Sequence, residues 1–109
     1  MVDFEDFMKL DIRVGEITEV EFFKKARKPA YKLWVDFGDE IGIKKSSAQI
    51  TECYNKEELI GKQVLAVLNF SPRQVVDFMS EVLVLGIYTT QGVVLIQPEQ
   101  PVKKGDKLG

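Results

Sequence analysis

The chain has 109 residues, of which 45% are hydrophobic and 29% charged, with a formal net charge of −2. That is the composition of an ordinary soluble globule, and the length predicts one domain over residues 1–109 that needs no disulfide staple. The single Cys53 excludes an internal disulfide and a Cys-rich zinc site, and the absence of histidine removes the commonest general base and metal ligand. No apolar run approaches the ~20 residues of a membrane span. The acidic start Met1-Val2-Asp3-Phe4-Glu5-Asp6 lacks the basic and apolar regions of a signal peptide, so a cytoplasmic location is expected.

In chain order, residues 3–9 predict a short helix. Asp3 is its cap, and Phe4, Phe7 and Met8 share one face. So short a helix persists only if that face docks on its own domain or on a partner. Residues 11–23 predict a strand whose alternation shifts after Gly15, which suggests a bulge or bend there. A second strand is expected at 31–37, with Tyr31, Leu33, Val35 and Phe37 inward and Lys32, Trp34 and Asp36 outward. Turn chemistry at 36–40 leads into a segment with Ile41 and Ile43 that ends at Ser46-Ser47. Asn55 to Gly61 predicts one helical turn, with Asn55 as cap, Glu58 at N3 and Gly61 as stop. Gln63 to Phe70 contains the run Val64-Leu65-Ala66-Val67-Leu68, as in a strand buried on both faces. Pro72 breaks it, and Val75 to Met79 is expected to be irregular. Glu81 to Thr90 predicts a strand bent at Gly86, and Gln91-Gly92 a hairpin turn into Val93–Gln97. Residues 98–109 are expected to run over the surface as a C-terminal extension. Five or six short strands with glycine bends predict an all-β Greek-key barrel, either a five-stranded OB fold or, from pattern alone, an SH3-like barrel.

The chemistry-bearing features are few. No Gly-rich phosphate loop and no Gly-x-Ser-x-Gly elbow is present. Asp39-Glu40 and Glu57-Glu58 read as solvated charge, and Cys53 as a half-buried structural residue. The expectation is a non-enzymatic protein with no catalytic residues, no metal and no cofactor. What stands out is charge segregation. Lys24, Lys25, Arg27, Lys28 and Lys32 place +5 on nine residues with no anion, so the other 100 residues carry −7. Such a stripe is the footprint of a polyanion-binding surface. Trp34 beside Lys32 reads either as a stacking platform or as packing under a loop or subunit contact.

Several segments together resemble one family. Asp11-Ile12-Arg13-Val14-Gly15-Glu16-Ile17, Lys28 to Gly38 and Asn69-Phe70-Ser71-Pro72-Arg73 resemble three blocks of the free-standing tRNA-binding domain. That domain also occurs at the C-terminus of some methionyl-tRNA synthetases. Residues 26–33, 45–51, 59–64 and 78–86 are similar to the CsaA group of export-related chaperones within that family. The resemblance covers nearly the whole chain and favours the OB fold. It implies a cytoplasmic homodimer whose partners are tRNA and unfolded or secretory precursor proteins. By resemblance, Lys32, Asn69, Arg73 and Ser80 are candidate RNA-contacting positions. They join the cations Lys24, Lys25, Arg27, Lys28, Lys44 and Lys45. Val82-Leu83 stands where tRNA binders of the family carry Gly-Met, Asp77 where many carry Gly, and Ser47-Ala48 replaces a Ser-Gly pair. The first change makes the groove more apolar, which suits peptide. Candidate peptide-binding residues are Trp34, Phe70, Phe78 and Met79, and candidate dimer contacts are Phe4, Phe7, Met8, Val94 and Ile96.

Overall fold

Strand β1 (Ile12–Phe22) pairs antiparallel with β4 (Gln63–Val67) over Ile12 to Glu16, then with β2 (Tyr31–Asp36) over Glu16 to Phe22. The computed structural model, which describes residues 1–109, adds α1 (Phe4–Met8), β3 (Ile43–Ala48) and α2 (Lys56–Leu59). After β4 come β5 (Arg73–Val75), β6 (Phe78–Ser80), β7 (Leu83–Val84), β8 (Gly86–Thr89) and β9 (Gly92–Leu95). Five strands form one antiparallel sheet in the order β3-β2-β1-β4-β7. The gap between its outer strands is bridged at Lys45: the amides of Glu81 and Val82 donate to its carbonyl at 2.8 and 3.3 Å. In return its own amide donates to Glu81 Oε1 at 2.9 Å. The result is a nearly closed five-stranded barrel of the OB type, with α2 between β3 and β4. Asn55 Oδ1 caps α2 by accepting from the Glu58 amide at 2.8 Å, and Gly61 follows at φ +89°.

The barrel interior holds Ile17, Leu33, Val35, Phe37, Leu59 and Val64, all essentially inaccessible. Strand β2 follows its predicted alternation. Tyr31, Leu33, Val35 and Phe37 are buried, while Lys32, Trp34 and Asp36 lie outward and half-buried. In β4, Val64 to Val67 are buried on both faces. Val64 and Ala66 face the barrel, whereas Leu65 and Val67 join Ile12 and Val14 in an outer cluster. Phe7 and Leu10, from α1 and the turn after it, cover that cluster together with Leu85 and Ile96. The helix therefore docks partly on its own domain, and Phe4 and Met8 stay exposed. A third cluster joins Phe23 and Ala30, at the two ends of the β1–β2 loop, to Phe78 of β6.

Four expectations are corrected. Gly15 is not a bulge: its pairing with Val64 is regular. The shift in alternation arises because β1 is buried on its outer face at Ile12 and Val14 and on its inner face from Gly15. A Cβ on Gly15 would lie 2.5 Å from Val35 Cγ1 and 2.7 Å from the Phe37 ring, so glycine is needed for close packing. The true bulge is at Thr18, between Ile17 and Glu19. Strand β3 does not end at Ser46-Ser47 but runs to Ala48. The segment expected to be irregular forms a hairpin, β5–β6, with Val76-Asp77 as its turn and Val76 at φ +57°. A β-branched residue there costs about 1–2 kcal/mol. The strand expected from Glu81 to Thr90 is two pieces, β7 and β8, split at Leu85, whose amide donates to Leu65 O at 2.9 Å. The C-terminal extension runs over the surface as expected and is tied to β1. The amides of Gly105 and Leu108 donate to Val14 O and Ile12 O at 2.8 Å each, and the Val14 amide donates to Asp106 O at 3.0 Å.

Two substitutions should move stability in opposite directions. Phe78→Ala should lose about 3 kcal/mol, since the site cannot collapse onto the barrel wall. That is a melting temperature lower by about 12 °C or more. Ser46 is 1% exposed and its Oγ has no hydrogen-bond partner. Ser46→Ala removes that unmet hydroxyl and should raise stability by up to ~1 kcal/mol, or about 4–8 °C. Calorimetry or thermal circular dichroism reads both.

Candidate nucleic-acid interface

The β1–β2 connection is pinned at its base and exposed along its tip. The Phe23 amide donates to Ala30 O at 3.0 Å, and the Ala26 amide donates to Phe23 O at 3.2 Å. Phe23 and Ala30 are 1% and 2% exposed, so the loop cannot swing as a unit. Lys24, Lys25, Arg27 and Lys28 project from it into solvent.

The outer face of β2 and β3 continues this surface. Lys32 sits opposite Ser47 and Trp34 opposite Lys45 in the register. Hairpin β5–β6 folds over them and inserts Phe78. Its ring meets Phe23 at 5.6 Å and Trp34 at 5.9 Å, both edge to face. The Lys32 ammonium lies 4.8 Å from the Phe23 centroid and 5.1 Å from that of Phe78, and the Lys45 ammonium 5.4 Å from the latter. The negative ring faces hold two like charges close together. The hairpin also gives Arg73 to a groove of about 650 Å³ lined by Arg27, Lys28, Ser47, Gln49 and Val75 among others. Three cations and no carboxylate line this groove. On the β1 side the cationic face ends, because the register sets Glu21 across from Lys32 and Glu19 across from Trp34.

The candidate residues thus divide. Arg27, Lys28 and Arg73 share the groove, Lys32 and Lys45 flank it at Phe78, and Lys24 stands free on the loop. None of the six makes an ion pair. Lys25 is paired with Asp77 at 2.7 Å. Hydrogen bonding to Asp77 raises its pKa, and Asp77 is lowered by the same bond. Lys44 faces away from Lys45, opposite Val35. Two polar candidates are spent on the fold. Asn69 accepts from the Asp11 amide at 2.9 Å and donates to Lys9 O at 2.7 Å, clasping the segment after α1. Ser80 Oγ accepts from the Ser47 amide at 3.1 Å, joining the hairpin to β3.

The four apolar candidates are not gathered into one groove. Phe78 is 6% exposed, Trp34 is half-covered beside it, and Met79 points to the opposite face of β6. Phe70 is exposed at the mouth of a second cleft of about 300 Å³, with Ser80, Val82 and Leu83, which adjoins the cationic groove by sharing Ser47 and Arg73 with it. Sequence reasoning missed Gln49 as a groove residue and Asp77 as the partner of Lys25. The latter pair is 52 positions apart and has no local signal.

The solved structures most informative for this geometry share the whole chain. The CsaA chaperone protein from Picrophilus torridus is 56% identical, with a TM-score of 0.96 and 100% coverage of both chains. The chaperone CsaA from Bacillus anthracis str. Ames is 53% identical, with a TM-score of 0.94 and coverage of 100% and 99%. The methionine–tRNA ligase of Methanococcoides burtonii is 38% identical over 106 residues, 96% of this chain. The chain spans only about 15% of the length of such curated relatives. A profile of the family described as putative tRNA binding domain matches residues 12–107. With the barrel, its cationic loop and that match over nearly the whole sequence, the chain belongs to the putative tRNA binding domain family.

Proposed function

We propose that the chain is a non-enzymatic binding protein whose cationic face receives the phosphates of a folded RNA, tRNA being the ligand. The observation that carries this reading is the groove of Arg27, Lys28 and Arg73, continuous with Lys32 and Lys45 and free of ion pairs. In OB folds the β2–β3 face and the loop between the first two strands bind oligonucleotides. Here both are basic. Trp34 is too covered by Phe78 to stack a base fully. Recognition therefore rests on shape and phosphate contacts.

A second activity, binding of unfolded or secretory precursor polypeptides as a chaperone, is supported by the likeness to the two chaperones and by exposed apolar side chains. Phe70 and Leu83, 48% and 47% exposed, flank the smaller cleft. An extended segment lying there would meet the RNA groove at the shared Ser47 and Arg73. Assembly as a homodimer, in the cytoplasm, completes the reading. Phe4, Met8, Ile87, Tyr88 and Val94 are exposed around the outer cluster that Phe7 and Ile96 half-cover, and Tyr88 is 92% exposed. A symmetric contact of this face with its copy would cover them.

Titration with bulk tRNA should give a log K against log salt slope near −3 if about four phosphates are met. Lys28→Glu with Lys32→Glu should flatten the slope and weaken every tRNA alike. A slope near zero counts against the reading. The same double variant should leave a neutral unfolded peptide bound, while Phe70→Ser weakens the peptide and spares tRNA. Equal loss of both ligands in both variants contradicts this division of the ligands between the two adjoining clefts.

Light scattering at micromolar concentration should give twice the 12.4 kDa chain mass. Phe4→Asp with Tyr88→Asp should shift it to 12.4 kDa at an unchanged far-ultraviolet spectrum. Both residues are exposed, so their loss does not open the core. A 12.4 kDa wild type would contradict the dimer.

A further inference from the structure

Of the four ion pairs in the molecule, one involves the cationic stripe: Lys25 Nζ to Asp77 Oδ2 at 2.7 Å. It joins the β1–β2 loop to the tip of hairpin β5–β6, the two walls between which the groove of Arg27, Lys28 and Arg73 opens. Both partners are solvent-accessible, with side chains 68% and 52% exposed. The pair is therefore exchangeable, and its net contribution to stability is small. Its position is costly all the same. The turn that presents Asp77 holds Val76 in the left-handed region at φ +57°, and such strain gathers at functional segments.

We propose that Asp77 is an internal competitor for ligand phosphate: its carboxylate occupies Lys25 in the free protein, and a bound polyanion takes Lys25 by displacing it. This rests on the polyanion reading of the same face. Asp77 follows Val76, which lines the groove, so its carboxylate stays beside the groove after displacement. A single phosphate in solution competes poorly with an anion tethered to the same hairpin. A polymer already held at Arg27, Lys28 and Arg73 presents its next phosphate at high effective concentration and wins. Asp77 therefore selects extended polyanions over mononucleotides and sets the affinity below the maximum the cations allow.

Asp77→Asn keeps the side-chain shape and removes the competing charge. It should tighten bulk tRNA binding about two- to fivefold near 0.1 M salt and leave the log K against log salt slope unchanged, because a phosphate takes Lys25 in both proteins. Adding Lys25→Gln to Asp77→Asn should erase the gain. Asp77→Ser should reproduce it, and either variant should melt within about 2 °C of wild type, as expected for an exposed pair. AMP, as the mononucleotide probe, should bind relatively better to Asp77→Asn than to wild type. If wild-type tRNA binding is salt-dependent and falls with Lys28→Glu, yet Asp77→Asn leaves affinity unchanged or weakens binding, the competitor role is overturned and the interface stands. If wild-type protein fails to bind tRNA, or binds it without regard to salt or Lys28→Glu, the interface and the competitor fall together.

Discussion

Everything in this molecule is hung on one strand that changes partners halfway. β1 pairs with β4 up to Glu16 and with β2 from Glu16 onward. A strand shared in this way must bend and let its neighbours approach, and the approach is closest at Gly15, where any Cβ would overlap Val35 and Phe37. Because Ile12 and Val14 are buried outside the barrel and Ile17 and Val20 inside it, one run of sequence seeds two apolar clusters. The hydrophobic effect then acts on both faces of the same backbone, and slippage by one residue would expose both sets.

The interface is an outgrowth of that scaffold. Phe23, the residue after β1, forms with Ala30 the floor onto which Phe78 packs. This small cluster converts a lysine-rich loop and a hairpin of two three-residue strands into two fixed walls. Apolar packing supplies the rigidity, and the cations are left with water, not carboxylates, as their partners. A surface preorganised in this way would meet phosphates without first breaking its own ion pairs, Lys25 excepted.

The sequence foretold those parts where local chemistry and tertiary context agree. The alternation of Tyr31 to Phe37, the Asn55 cap with its Gly61 stop and the two-faced run Val64 to Val67 each carry their own periodic or capping signal, and the structure keeps them. The β5–β6 hairpin was illegible because its turn is Val76-Asp77, not a glycine or asparagine pair, and each strand is three residues long. The apparent bulge at Gly15 misled because alternation reports burial, and both faces of β1 are buried. The cationic stripe was visible as composition, but its edges were not. Glu21 and Glu19 border it through strand register and Asp77 through a contact 52 residues away. The family blocks pointed to the fold and to Arg73, yet Asn69 and Ser80 are hydrogen-bonded into the framework.

The pairing of residues 105–108 with Ile12 to Val14 has a consequence for how such a barrel can be built into larger proteins. It brings the entry and exit of the chain side by side at the start of β1, whereas the lysine-rich loop lies beyond the end of the same strand. Eleven residues of strand span roughly 35 Å. A polypeptide joined before α1 or after Leu108 would therefore leave from the pole opposite the basic face. The barrel behaves as a plug with its prongs outward: it can be carried by a longer chain, or by nothing, with the same surface presented to solvent.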